Sequence, residues 1–239
     1  SHRASLCLGL LVFGKLAFLM PCATRPCKYD PGSRHSNLRG LPSRAEQRTT
    51  VEDREPFSLS STPLLVPSHG ESVDWPALKA EEVVGISVEG SPEAEAVLLA
   101  TAEDVIVFRL RDLSSEDNVQ LQMILDCPDI VKVGAQLPTQ ISALCGGITS
   151  TGQMWSGHFP ELELNGWVDL SEVLWQHGVS TERLGVRALV GCYLGKQLDT
   201  LSQECWEKCP TPEMIELAAR KAAACRQLRP HVESMVTIA

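Results

Sequence analysis

The chain has 239 residues, 44% of them hydrophobic, and its 30 acidic against 21 basic residues give a formal net charge of −9. This length and apolar content fit one large or two small globular domains, and they exclude a low-complexity chain. An acidic balance also disfavours a protein that coats a phosphate backbone, because such proteins bind mainly through basic residues. A local basic groove is still compatible with this net charge.

The charge is distributed unevenly along the chain. Residues 1–54 carry nine Lys or Arg against four Asp or Glu, a balance of +5, and the remainder carries twelve against 26, a balance of −14. We therefore predict two parts. Residues 1–76 form a targeting-like or extended N-terminal segment, and residues 77–239 form the folded domain.

The N-terminal segment has the composition of an import signal. Residues 6–20 are apolar but interrupted by Lys15, and a small-residue stretch follows them. That run is shorter than the roughly 20 apolar residues of a membrane-spanning helix, so no membrane association is expected beyond it. Residues 25–54 are rich in Arg and Ser, as in transit peptides, which favours a mitochondrion or plastid. The alternative is a disordered basic tail.

The folded part begins with strands and ends with helices. Residues 83–89, 94–100 and 105–109 predict three strands of a meander from their β-branched and apolar content. A helix over 116–125 and a buried parallel strand over 130–134 follow. Asp169 is expected to be the N-cap of a helix over Leu170–Gln176, and a long last helix begins at Pro212. The resemblance described below implies one more strand, over residues 167–170.

Polar residues at the ends of these elements form a recognisable series. Ser87 and Glu89 are two apart on the first strand, so their side chains project from the same face. The second motif is Lys132-Val133-Gly134, followed after five residues by Gln140. The third places Leu217 and Lys221 four apart on the last helix.

The order and spacing of these motifs resemble the 3′–5′ exonuclease domains of the DEDD superfamily, specifically the RNase D and Werner-type branch. The family motifs are Asp-x-Glu, Lys-Val-Gly-x5-Asp, and a Tyr followed by Asp four residues later. Residues 184–198, Trp206 and Thr211 also resemble the family, and the resemblance extends from about Val83 to Val232. It implies an α/β fold of the RNase H-like type, with a mixed sheet flanked by helices.

The resemblance also implies that the catalytic chemistry is lost. The family uses two divalent metals, Mg²⁺ or Mn²⁺, held by four acidic side chains, to hydrolyse a phosphodiester. Only Glu89 keeps its acid, since Ser87, Gln140 and Lys221 replace the other three, and Leu217 replaces the Tyr that orients water. We therefore expect no functional catalytic residue, no cofactor and no bound metal.

Several readings of individual residues remain open. Glu89 is expected to pair with Lys221 in the former metal pocket, with a plain surface carboxylate as the alternative. Gln140 is expected to be a solvated helix residue, and Leu217 to pack in the core. If the motifs were mis-registered, the replacement ligands would be sought among Asp126, Asp129 and Glu216. The nine cysteines contain no paired Cys-x-x-Cys sets, and the isolated His158, His177 and His231 are not expected to be ligands.

Three functions are compatible with this sequence. The first is a catalytically inactive structural or adaptor subunit of an organellar assembly, with protein subunits as its partners. The second is a nucleic-acid-binding protein that keeps the exonuclease groove and binds RNA or DNA without cleaving it. The third is an active 3′–5′ exonuclease with unconventional metal ligands. The acidic charge favours the first over the second, and the missing acids argue against the third.

Overall fold

The computed structural model describes residues 54–66, 73–90, 93–148, 154–199, 206 and 210–238. The predicted import signal, including the apolar run of residues 6–20, lies outside these residues. Five of the nine cysteines also lie outside them, three in the N-terminal segment and two in the loop before the last helix. No helix in the described part of the chain is long and apolar enough to cross a membrane.

The core of the fold is a six-stranded mixed sheet with the strand order β1-β4-β3-β2-β5-β8. Strands β2, β3 and β4 form the predicted antiparallel meander, whereas β1 pairs with β4, β5 with β2, and β8 with β5 in parallel. Strands β6 and β7 form a separate antiparallel pair. The strand bounds are β1 Leu64–Val66, β2 Val83–Glu89, β3 Ala96–Ala100, β4 Val105–Arg109, β5 Val131–Gly134, β6 Gly146–Ile148, β7 Met154–Ser156 and β8 Trp167–Asp169.

Helices flank this sheet, so the predicted α/β class with an RNase H-like mixed sheet is confirmed. A short 3₁₀ turn over Leu110–Asp112 precedes α2, and a π-helical turn over Val190–Leu194 continues α5. The helix bounds are α1 Trp75–Lys79, α2 Ser115–Asp126, α3 Leu137–Cys145, α4 Leu170–Gln176, α5 Val186–Leu189 and α6 Pro212–Ile238.

Strand β2 is only half covered on its β5 side. Strand β5 pairs with β2 from Val83 to Gly85, whereas β3 pairs with β2 from Gly85 to Glu89. The last residues of β2 therefore have a strand neighbour on one side alone. Ser87 and Glu89 lie on this free edge, and we call the place where they meet Gln140 and Lys221 the cleft.

Helix α6 packs directly on β2 because both elements carry small residues where they meet. A Cβ atom added to Gly85 would overlap the carbonyl oxygen of Ala222, so only glycine allows this approach. Ala218, Ala219 and Ala222 are buried at the same interface. The close packing fixes the rotation of α6 and thereby the position of Lys221.

The residues that precede β1 also belong to the core. Phe57 is 1% exposed and shares an apolar cluster with Leu198 and Leu217. The Phe57 amide donates to the Gln197 carbonyl at 2.8 Å, and the Gln197 amide donates to the Glu55 carbonyl at 2.9 Å. Strand β1 extends the sheet beyond β4. A truncation as far as Pro76 would therefore remove a sheet strand and a core side chain.

Lys132, on β5, is a fully buried lysine. Its side chain is 0% exposed, and Nζ donates to the Cys127 carbonyl at 2.6 Å. Loss of solvation lowers the pKa of the Lys132 ammonium to about 8, although nearby Cys127 and Asp126 favour the charged form. An unfolded chain would hold this proton to a pH of about 10.4.

Lys132 should make the protein more stable as the pH rises from about 8 to about 10. In that window the unfolded state binds more protons at this site than the folded state, so the free energy of unfolding increases with pH. Urea denaturation across the window, under reducing conditions, should show this slope in the wild-type relative to Lys132→Met. Because other groups, including the thiols, titrate in both proteins, the difference isolates Lys132. Parallel pH profiles would contradict the assignment.

Candidate functional site

Ser87 and Glu89 lie side by side in the cleft at the end of β2, as the strand alternation predicts. The Ser87 hydroxyl donates to Glu89 Oε1 at 2.8 Å, and Ser87 is only 4% exposed. The Glu89 side chain is 14% exposed. The carboxylate is therefore held in a largely desolvated position by a neighbour on its own strand.

Lys221 reaches the same carboxylate from helix α6. Its Nζ lies 2.9 Å from Glu89 Oε1 and 3.1 Å from Oε2. The predicted Glu89–Lys221 pair is confirmed, and the alternative of a plain surface carboxylate is wrong. Both carboxylate oxygens now have a donor, so the pair and Ser87 form a closed hydrogen-bonded group.

Gln140, on α3, lies on the wall of this cleft and joins two strands. Its Oε1 accepts from the Val88 amide at 2.9 Å, and its Nε2 donates to the Ala135 carbonyl at 2.8 Å. Val88 lies beyond the point where β5 pairs with β2, so its amide has no strand carbonyl on that side. The Gln140 amide takes the place of the missing strand, and the expectation of a solvated residue is wrong.

Both hydrogen bonds of Gln140 depend on the amide group. A carboxylate at this position could accept from the Val88 amide, but an ionised carboxylate cannot donate to the Ala135 carbonyl. The amide side chain of Gln140 is thus suited to bridging two backbone groups. The sequence alone does not indicate this role, because the role depends on how far β5 pairs with β2.

Leu217 lies on α6, one turn before Lys221. It is 9% exposed and packs in the apolar cluster that contains Phe57 and Leu198, as its predicted core position requires. It has no polar atom with which to hold a water molecule. This side of the cleft is therefore closed by hydrocarbon.

Asp169 caps helix α4, as predicted, and has a second role that the sequence did not suggest. Its carboxylate accepts from the Ser171 amide at 2.9 Å and from the Ser171 hydroxyl at 2.5 Å. It also accepts from the Leu137 and Gln136 amides, at 2.8 and 3.2 Å, at the start of α3. One carboxylate thus joins the N-terminal ends of two helices and fixes the helix that carries Gln140.

The side chains around Glu89 do not provide the ligands that a pair of divalent cations requires. Such ions require several carboxylate oxygens, whereas this cleft offers one carboxylate that an ammonium group already neutralises. In the described residues no group of three or more His, Cys, Asp or Glu could hold a metal ion.

The residues considered as replacement ligands are engaged elsewhere or lie on the surface. Asp126 accepts from the Glu163 amide at 2.7 Å, and Glu216 pairs with Arg220 at 2.5 Å. Asp129 is exposed. None of the three hydrogen-bonds to Ser87, Glu89, Gln140 or Lys221 in the described structure.

The Glu89–Lys221 pair should show strong coupling in a double-mutant cycle. Removing one partner of a partly buried pair leaves a desolvated charge, which we expect to cost on the order of 1–3 kcal/mol at this exposure. Glu89→Gln and Lys221→Met should each lower the free energy of unfolding. The loss in the double variant should be smaller than the sum of the two single losses. Urea denaturation measures all four. Strictly additive losses would show that the two groups do not interact.

Comparison with known proteins found no matching family model and no matching curated protein. Solved structures do match. The exonuclease domain of Nibbler from Aedes aegypti has 22% sequence identity and a TM-score of 0.57, and the match covers 76% of this chain and 91% of that one.

Two longer exonucleases match over part of their length. RNase D from Escherichia coli, an exoribonuclease involved in structured RNA processing, has 16% identity and a TM-score of 0.57, over 69% of this chain and 42% of its own. The catalytic core of RRP6 from Trypanosoma brucei has 15% identity and a TM-score of 0.61, over 84% and 54%. At these identities the likeness concerns architecture. The chain has the fold of the DEDD-superfamily 3′–5′ exonuclease domains, an RNase H-like mixed sheet flanked by helices.

Proposed function

We propose that this protein is a catalytically inactive 3′–5′ exonuclease-like protein that acts as a structural or adaptor subunit of an organellar assembly. The observation that carries the proposal is the Lys221 ammonium group, 2.9 Å from the one carboxylate left in the cleft. In the family motif an acid stands at the position of Lys221.

Electrostatic repulsion by Lys221 disfavours the binding of metal ions in this cleft. Two unit charges about 4 Å apart interact by roughly 4 kcal/mol at an effective dielectric constant near 20, and the repulsion of a lysine by a divalent ion is about twice that. A metal would also have to displace Lys221 and the Ser87 hydroxyl from Glu89. Without metals, neither the attacking water nor the leaving oxygen of a phosphodiester is activated.

The charge of the folded part favours protein partners over nucleic acid. Residues 55–239 carry a balance of −14, which repels a phosphate backbone. Lys221, the basic residue of the cleft, is already bound to Glu89. A groove that binds RNA or DNA without cleaving it is therefore the weaker candidate. The organellar location rests on the composition of residues 1–54 alone.

The purified protein should lack metal-dependent nuclease activity. Labelled single-stranded and duplex RNA and DNA should keep their 3′ ends during incubation with Mg²⁺ or Mn²⁺, because the cleft cannot hold the ions. Shortening of the labelled RNA or DNA from its 3′ end, if it is lost in the Glu89→Ala variant, would contradict the proposal. Retention of labelled RNA without cleavage, weakened by Lys221→Ala, would instead support the nucleic-acid-binding alternative.

A variant with the family's residues restored provides a matched control for this assay. Ser87→Asp, Gln140→Asp, Leu217→Tyr and Lys221→Asp together rebuild the four acids and the tyrosine. Mn²⁺ should raise the melting temperature of this variant and leave that of the wild-type unchanged, since only a state that binds the ion is stabilised. This comparison separates a lost metal site from a damaged scaffold.

Deleting residues 1–53 should leave the domain folded and release it from its native assembly. The deletion removes the basic segment but keeps Phe57 and β1, which belong to the core. The thermal unfolding transition should persist, while co-sedimentation with the assembly from the native source should fall. A truncated domain that still co-sediments fully would show that the folded part alone carries the binding.

A further inference from the structure

Helix α2 presents two large apolar side chains to solvent. Val119 is 56% exposed and Met123 is 52% exposed, and their i, i+4 spacing places them on one face of the helix. The opposite face is buried through Leu121, Ile124 and Leu125. The core therefore already has its apolar contacts from α2, and the outward pair serves no packing need within the described residues.

A loop bound to the end of this helix carries a third exposed apolar residue. The loop that carries Leu164, which is 50% exposed, is attached to the last turn of α2. The Glu163 amide donates to Asp126 Oδ1 at 2.7 Å, and Trp167 Nε1 donates to the Leu125 carbonyl at 3.1 Å. Asp126 follows Val119 and Met123 on the same helix face, at i+7 and i+3.

These three residues, Val119, Met123 and Leu164, form what we call the α2 stripe. They account for most of the exposed large hydrophobic residues in the described part of the chain. The full set is Val119, Met123, Leu164, Trp175 and Met235. Single exposed hydrophobics need no explanation, but several on one helix and the loop bound to it indicate a contact surface.

The surroundings of the stripe are mainly acidic, with Lys79 as a basic exception, since its Nζ donates to Gln120 Oε1 on α2 at 2.7 Å. Residues 113–131 and 159–169, which form α2 and the adjoining loops, contain no Lys or Arg. Glu116, Asp129, Glu161 and Glu163 are exposed there. Two arginines immediately before α2, Arg109 and Arg111, contact Asp112.

We infer that the α2 stripe binds a basic amphipathic helix of a partner protein. Apolar residues spaced i, i+4 along a helix match the apolar face of a second helix, and an exposed Met adapts to varied side chains. The acidic rim attracts Lys and Arg on the partner and repels a phosphate backbone. The inference deepens the proposed adaptor role by assigning its contact surface, and in that respect it rests on that role.

The test uses the full chain and a defined probe. The probe is a fluorescent peptide helix with Leu at i, i+4 and i+7 and Lys at most other positions, compared with a scrambled peptide of equal composition. Fluorescence anisotropy should show that the Val119→Gln/Met123→Gln variant binds the helix about tenfold more weakly than the wild-type. The control variant Trp175→Gln/Met235→Gln removes exposed hydrophobics elsewhere and should bind like the wild-type.

A second variant tests the rim. Glu116→Gln/Glu163→Gln should weaken binding and reduce its dependence on salt, because it removes charges that attract the probe. The unfolding transitions of all variants should match that of the wild-type, since the altered side chains are exposed. Met123→Glu serves as an independent single change if the double variant unfolds early.

Several results would overturn the inference. They are equal binding of the scrambled peptide, unchanged affinity in both stripe variants, or a wild-type dimer in sedimentation that Met123→Glu dissociates. The last result would assign the stripe to a second copy of this chain. Failure of this inference is distinguishable from failure of the proposed function. Shortening of labelled 3′ ends by the wild-type protein would contradict the proposed function, whether or not the peptide binds.

Discussion

The contact between Gly85 and Ala222 is the constraint on which the rest of this site depends. Because β2 has no side chain at this point, helix α6 lies against the strand backbone along a row of alanines. Any larger residue would push the helix away from the sheet. With the helix seated this closely, Lys221, the residue before Ala222, lies within hydrogen-bonding distance of Glu89 at the strand's end.

Each side chain of the cleft has a hydrogen-bonding or packing partner. A site that had only lost residues would instead leave polar groups without partners. Ser87 and Lys221 satisfy the Glu89 carboxylate, Gln140 satisfies the backbone of β2 and of the chain after β5, and Leu217 fills space with hydrocarbon. Buried polar groups without partners are costly, so replacements that satisfy one another preserve stability. In the described structure Glu89, Lys221, Ser87 and Gln140 each contact a neighbouring protein group.

The sequence predicted the central strands and the first turn of α6 from local periodicity. It predicted the Glu89–Lys221 contact only through the resemblance of its motifs to the exonuclease family, in which the first strand and the last helix converge. Asp169 was predicted as a cap for α4 alone, since the second helix that it caps begins 32 residues earlier in the chain. Gln140 was misjudged for a similar reason. Its partners are backbone atoms whose availability depends on where β5 ends, and no side-chain pattern records that. Strand β1 was missed because it lies in a Pro- and Ser-rich stretch and pairs with β4 about 40 residues later.

The backbone hydrogen bonds that join Glu55 and Phe57 to Gln197 limit where a protease can cut the chain without disturbing the core. A processing protease needs its substrate in extended form and free of other pairing, and the backbone at these residues is already paired with the loop before α6. A cut upstream of Glu55 leaves every described strand and the Phe57 side chain in place. A cut downstream of Phe57 detaches a buried aromatic ring from the cluster that holds Leu217. A cut that leaves the core intact therefore lies before Glu55.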